Sequence, residues 1–498
     1  MSRKLIFTSM LAAICLVSCG DGDSGTQPTV DTTDPAVTIL QPVTGATVPA
    51  GNVIISAQAT DNEEIAKVEF YVDGSKIGED ASGAANIYVY TWDATGLANG
   101  SAHTLRARAL DTSGNGADAS VMVTICPCPT GPTYHAQNID ANETWRACCN
   151  PHIVTESIGI ENGATLTIQP GCIVRIEADK GFVCGWGGAG DGALIAVGKP
   201  DSTILFTSNE SPAAPGDWFG FTFHDATLPT TRFSYCTIEY AGRDGEQALL
   251  LDFGAVVKMD HSTIQHSAGK GIAFSQQGSH MAAFTNNTIT GCADYPLEVE
   301  PEYVRELGAG NSFTGNAAGK NAITVYYGIV ETSGTWRHHG VPYRVPEGHG
   351  VGIGSQTGTA VVTIEPGTVI QFGLDAYLHV GYTISAGLIA EGTVANPITF
   401  TSEQANPQPG DWRHIYISGA SVDAQCRLKH CVIEYGGGVV GALESIAIED
   451  ALPSITDCEI NHSAGYGISL GGGEYPDPAT LEGSNSFTGN AGDNVHIF

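Results

Sequence analysis

Basic side chains are scarce in this 498-residue chain: 21 Lys and Arg stand against 53 Asp and Glu, for a formal charge of −32. A surface of that sign repels phosphate backbones and anionic headgroups, which excludes nucleic acid and charged lipid as partners. It also disfavours polyanionic polysaccharides unless calcium bridges the two. From about residue 130 onward, stretches of helical period are nearly missing, so the reading there is all-β. Long apolar runs are missing too. The run from Leu5 to Leu16 is too short to cross a bilayer as a mature helix.

That run follows Arg3 and Lys4 and ends in Leu16-Val-Ser-Cys19. The pattern resembles the bacterial lipobox. It implies that residues 1–18 are a lipoprotein signal peptide and that Cys19 becomes a lipid-modified first residue. Gly20, rather than Asp, after the cysteine favours delivery to the outer membrane, with the chain exposed at the surface and held by its lipid alone. Residues 19–35 are almost wholly Gly, Asp, Ser, Thr and Pro, the composition of a flexible tether.

Residues 36–125 read as a sandwich. Short alternating segments at Val37–Ile39, Val53–Ala57, Lys67–Val72, Tyr88–Trp92, His103–Ala109 and Ala119–Ile125 are parted by turn pairs such as Asp73-Gly74 and Asn99-Gly100. The phrases Val68-Glu-Phe-Tyr-Val-Asp-Gly74, Tyr90-Thr-Trp-Asp93 and Ala109-Leu-Asp111 resemble bacterial immunoglobulin-like domains. The resemblance implies a spacer in most cases and a carbohydrate or calcium site in a few. Asp61, Asn62, Glu63 and Glu64 form an acidic turn that Asp111 approaches. The turn offers oxygen ligands for Ca²⁺, and capping of the turn by the same side chains is the plainer alternative. No other cofactor is expected.

The remainder is written twice. Pro215-Gly-Asp-Trp218 returns as Pro409-Gly-Asp-Trp412, Tyr235-Cys-Thr-Ile-Glu-Tyr240 as His430-Cys-Val-Ile-Glu-Tyr435, and His266-Ser-Ala-Gly as His462-Ser-Ala-Gly. Thr144-Trp-Arg146 matches Thr335-Trp-Arg337 in the same order. Inside each copy a shorter repeat recurs: Cys236-Thr-Ile, Ser262-Thr-Ile and Asn287-Thr-Ile each place an Ile two positions after a small residue, on the same side of a strand. One such rung per roughly 25 residues predicts a right-handed parallel β-helix of about 14 coils over residues 151–498, in two copies of about 135–324 and 325–498. Residues 126–150 would be its linker and N-terminal cap. The phrases Thr167-Ile-Gln-Pro-Gly171, Leu194-Ile-Ala-Val-Gly198 and Ile204-Leu-Phe-Thr-Ser208 resemble right-handed β-helix proteins of bacterial surfaces, of pectin-lyase-like architecture.

That shape carries enzymes and binding proteins alike, so function rests on side chains. A lyase needs a basic residue beside a carboxylate cluster, and Arg175, Lys180, Arg232, Lys258, Arg413 and Lys429 stand in no such motif. A hydrolase needs converging carboxylates, for which Asp217, Asp225, Asp252 and Asp260 are the candidates. Asp217 recurs as Asp411, however, and a catalytic group rarely needs to occur twice, whereas a turn cap does. The same reasoning makes His266 and His462 corner residues whose imidazoles bond a turn carbonyl; His338-His339 has no partner spaced for a metal and reads as a solvated loop. Trp186, Trp218 and Trp412 fit either sugar platforms or packing. Cys236, Cys431 and Cys458 fit the inward ladder. Cys126, Cys128, Cys148 and Cys149 lack zinc spacing and read as one or two disulfides. The reading that results is a lipid-anchored, non-catalytic protein that contacts glycans or another cell-surface component. The alternative is a polysaccharide lyase or glycoside hydrolase.

Overall fold

The computed structural model describes residues 31–128, 131–275, 278–381, 384–438 and 443–498. Cys19 and the signal segment lie outside them. The chain divides into two compact units, Met1–Cys126 and Pro127–Phe498.

The first unit has two sheets, antiparallel except where the short strand Thr47–Val48 pairs in parallel with Gly116–Ile125. Three strands, Ala36–Gln41, Asn52–Thr60 and Ile87–Asp93, form one. Ile65–Val72, Ser75–Asp80, Ala102–Asp111 and Gly116–Ile125, with the short strand Thr47–Val48, form the other. Val53, Ile55, Ala57 and Ala59 alternate inward on one sheet and meet Val68, Phe70, Leu105 and Ala107 of the other. Asp73 and Gly74 both adopt positive φ, 48° and 83°, which is the two-residue turn that right-twisted hairpins prefer.

The second unit is a parallel β-helix. Each coil contributes three short strands, and like strands of successive coils stack in parallel register. The inward column Val174, Phe206, Ile238, Ile264, Ile289 is one ladder, and Tyr343, Ile370, Phe400, Ile433, Ile460, Phe487 is its counterpart; every member is buried except the terminal Phe487, which is partly buried. First strands number seven in each copy among the described residues, and copy one adds one further position in that column, Ser312, bridged in parallel to Thr288. The helix starts earlier than expected. Thr133–His135 and Glu143–Trp145, inside the stretch read as a cap, already pair with His152–Val154 and Ala164–Ile168.

Corner geometry explains the short repeat. Tyr235 and Tyr240, His261 and His266, His430 and Tyr435, and Asp457 and His462 are pairs of left-handed residues that bracket each Ile-bearing strand. Left-handed backbone costs a residue with a Cβ roughly 1–2 kcal/mol. Stacking between coils offsets it: Tyr240 lies 5.5 Å from His266 and Tyr435 lies 5.3 Å from His462, the rings nearly parallel. Both imidazoles therefore stack on an aromatic ring, where a bond to a turn carbonyl was expected. The small residue beside the corner points inward and caps its neighbour coil. Ser262 Oγ accepts from Cys236 N–H at 3.0 Å, Asn287 Oδ1 from Ser262 N–H at 3.0 Å and Asn311 Oδ1 from Asn287 N–H at 2.9 Å.

The copies are not joined in phase. The second strands of copy one, Ile158–Ile160 through Leu297–Val299, continue without a break into the first strands of copy two, Ile323–Val325 through Ser486–Thr488, as one thirteen-stranded sheet.

Candidate functional site

Residues retained in both copies prove to be scaffold. Asp217 Oδ2 accepts from Ser208 Oγ at 2.6 Å and Ala214 N–H at 2.8 Å, closing its loop; Asp411 repeats this with Ser402 at 2.6 Å and Gln408 N–H at 2.9 Å. Trp218 and Trp412 are fully buried, and their indole N–H groups donate to Glu239 and Glu434 carbonyls at 2.9 and 2.8 Å. Neither is a sugar platform. Four of the six basic candidates pair with separate acids: Lys180 with Glu156, Arg232 with Asp260, Arg413 with Asp375 and Lys429 with Asp457. The four Asp candidates do not converge either. Asp217 caps its loop, Asp260 ends a third strand beside Ser234, and only Asp225 and Asp252 share a corner.

Two outward patches occur once each. From copy one into the first coil of copy two, the residue following successive strands of the thirteen-stranded sheet lies in one column: Gly185, His224, Asp252, Ser275, Glu300 and Tyr326. Trp186, Phe253 and Tyr327 follow one position later and are exposed, at 58%, 56% and 54%, as is Tyr326 at 46%. His224 is buried between the first two, with ring centroids 4.6 Å from Trp186 and 5.9 Å from Phe253. Asp252 holds Ser275 and lies 3.8 Å from His224. Ser275, Glu298, Glu300, Tyr326 and Tyr327 line a cleft at the far end. Burial holds the Glu300 carboxyl above its ordinary range. With strands about 4.8 Å apart, this row of six coils runs about 24 Å. In copy two the matching positions to His224, Asp252, Phe253 and Ser275 are Ser418, Glu449, Asp450 and Gly471.

Copy two carries its own patch on the flat face of its second strands. Tyr377 and His379 project from Tyr377–Val380, and Tyr416 from Ile415–Ser418, with His414 just before it. His414 Nδ1 lies 2.8 Å from Glu444 Oε1, and His414 Nε2 lies 3.4 Å from His379 Nε2. Glu444 is 7% exposed. Tyr416 donates to Glu449 at 2.5 Å, and Tyr377 packs 4.2 Å from His379. Burial, with His414 and Arg413 adding to it, pushes the His379 imidazole down to about 4. Sequence reading missed this group, since its members lie 35 and 30 residues apart. The duplication was the available signal: Val183, Gly220 and Gln247 stand in copy one where copy two has His379, His414 and Glu444.

Cys128 and Cys149 form a disulfide with Cα atoms 5.4 Å apart, and Cys126 and Cys148 are not free thiols either. Cys236, Cys431 and Cys458 are buried free thiols in the ladder. His338 is exposed, but His339 departs from the solvated loop expected of it: its ring packs 5.5 Å from Phe313, and burial pushes it down to about 4. In the first unit, Asp31, Asp61 and Asp111 bring carboxylate oxygens within 4.8 Å of one another. Asp111 caps Gly114 and Asn115, and Asp61 caps Glu63, so turn capping occupies much of this group; Glu63 and Glu64 lie outside the carboxylate group.

Residues 35–107 match the family model described as bacterial Ig domain. Among solved structures, the fibronectin(III)-like modules of CbhA from Clostridium thermocellum are 32% identical, covering 18% of this chain and 97% of theirs with a TM-score of 0.17. An engineered protein from a structural genomics consortium is 20% identical, covering 19% of this chain and 20% of its own with a TM-score of 0.15. No curated protein matches the chain significantly. The first unit is a bacterial Ig-like domain, followed in the chain by a long parallel β-helix.

Proposed function

We propose that this is a bacterial cell-surface protein, lipid-anchored through Cys19 at the outer membrane, whose β-helix binds an extracellular glycan without turning it over. The Ig-like domain serves as spacer. The observation that carries the reading is the row running along copy one into the first coil of copy two, where Trp186, Phe253 and Tyr327 offer exposed rings beside Asp252, Ser275 and Glu300. Rings present apolar faces to the C–H face of a pyranose, and carboxylates accept hydrogen bonds from its hydroxyls. The coil repeat of about 4.8 Å is close to the length of one sugar unit, so a chain laid along the row meets a new coil at each residue. The charge of −32 favours neutral over acidic glycans.

Purified protein screened against neutral polysaccharides is expected to bind at least one, and Trp186→Ala or Phe253→Ala to weaken that binding about tenfold, roughly 1.4 kcal/mol. Binding unchanged in both variants would remove the row from the reading. Release of shortened or unsaturated products, with or without calcium, would replace it with the lyase or hydrolase alternative. Cys19→Ser is expected to abolish acyl labelling and free the protein from the membrane fraction.

A further inference from the structure

We propose that His379 and His414 form a divalent transition-metal site, of the zinc class, on the face of copy two. Two imidazole nitrogens bound to one tetrahedral Zn²⁺ at about 2.0–2.1 Å lie about 3.3–3.4 Å from each other. The Nε2 atoms of His379 and His414 are 3.4 Å apart. That is long for a nitrogen-to-nitrogen hydrogen bond. The pair His135 and His152, elsewhere in the same unit, shows the ordinary value at 3.0 Å.

The surroundings are those of a ligand pair. The carboxylate of Glu444, nearly buried, accepts a hydrogen bond from Nδ1–H of His414, and in that tautomer the Nε2 lone pair faces His379. A carboxylate on the far nitrogen is the partner that metal-binding imidazoles ordinarily have, because it sets the tautomer and raises ligand basicity. Ser469 donates to the other Glu444 oxygen at 3.4 Å and steadies it. The duplication supplies an independent control. With the scaffold Asp and Trp kept in both copies, copy one has Val183, Gly220 and Gln247 at these three places, so the coil does not need them. Beyond these two nitrogens a tetrahedral ion takes two further donors, among them water or an atom of a bound molecule.

The test is titration of chelator-stripped full-length protein with Zn²⁺ by calorimetry, and with Co²⁺ by visible absorption. One ion per chain is expected. His379→Val, the residue that copy one carries, should weaken binding at least tenfold with the melting temperature retained. Glu444→Gln should weaken it about 10–100-fold. His135→Ala should leave it unchanged. No uptake by the native protein, or equal uptake by His379→Val, overturns the proposal.

Discussion

In copy one the strand Gly220–Phe223 turns Thr222 outward; in copy two its counterpart Ile415–Ser418 turns Tyr416 outward, with His414 beside it. Inside the same two coils, Trp218 and Trp412 are buried alike and bond carbonyls at the same place. The contrast separates two kinds of constraint. A stacked coil requires its inward column, its corner residues and its loop caps at every repeat, so duplication preserves them. The outward column contributes little to folding and is free to diverge. Copy one has used that freedom at the strand ends, where rings and carboxylates form a row. Copy two has used it on the strand faces, where imidazoles and phenols form a cluster.

The comparison can be broken at its strongest point first. Trp218→Ala and Trp412→Ala should each cost about 3–5 kcal/mol, since a fully buried indole leaves a cavity that rigid coils cannot close. Urea denaturation followed by site-resolved hydrogen exchange should find similar losses, each centred on its own copy. Unequal losses would mean that the copies are not equivalent scaffolds. Asp217→Ala and Asp411→Ala should cost less, about 2 kcal/mol each, because each removes one carboxylate that accepts two hydrogen bonds. Equal costs with unchanged glycan binding would confirm the caps as structural; lost binding with stability intact would reopen a site role for Asp217.

Acid supplies a graded and smaller test. Burial depresses His135 in copy one and His339 and His379 in copy two to about 4, against about 6.5 when unfolded. The unfolded chain therefore binds more protons between those values. Stability is present above about pH 6.5 and falls as pH drops toward 4. Denaturation midpoints measured across that window should decline, and His379→Val should flatten the slope. A flat profile in the native protein would show that these rings are solvated.

Much of the architecture was legible in the residues, and for a physical reason. Period-two strands and left-handed corners are local, so Tyr235 to Tyr240 announces a rung by itself, and its return at His430 to Tyr435 announces stacking. The capping role of Asp217 was legible because its phrase recurs with the loop it closes. The role of Trp218 was not, because an indole packs against a core or a sugar with the same sequence signature, and only its zero exposure decides. His339 was misread for a similar cause: a polar pair after Arg337 gives no sign that Phe313, from an earlier coil, covers one of the two.

By itself, then, the sequence determined the two-sheet first unit, the coil and its period, and the doubling, since each follows from side-chain alternation and turn chemistry within about 25 residues. Tertiary structure decided how the copies meet. The phrase Asn311-Ser-Phe-Thr-Gly-Asn316 recurs as Asn485-Ser-Phe-Thr-Gly-Asn490, so the copies differ by about one coil, and the ladder from Leu297–Val299 closes onto Ile323–Val325 instead of onto its own kind of strand. Unpaired backbone at the end of a sheet accepts whichever strand arrives in register, whatever its ancestry. Tertiary structure also assembled both outward patches, because His379, His414 and Glu444 become neighbours only when three coils stack at about 4.8 Å.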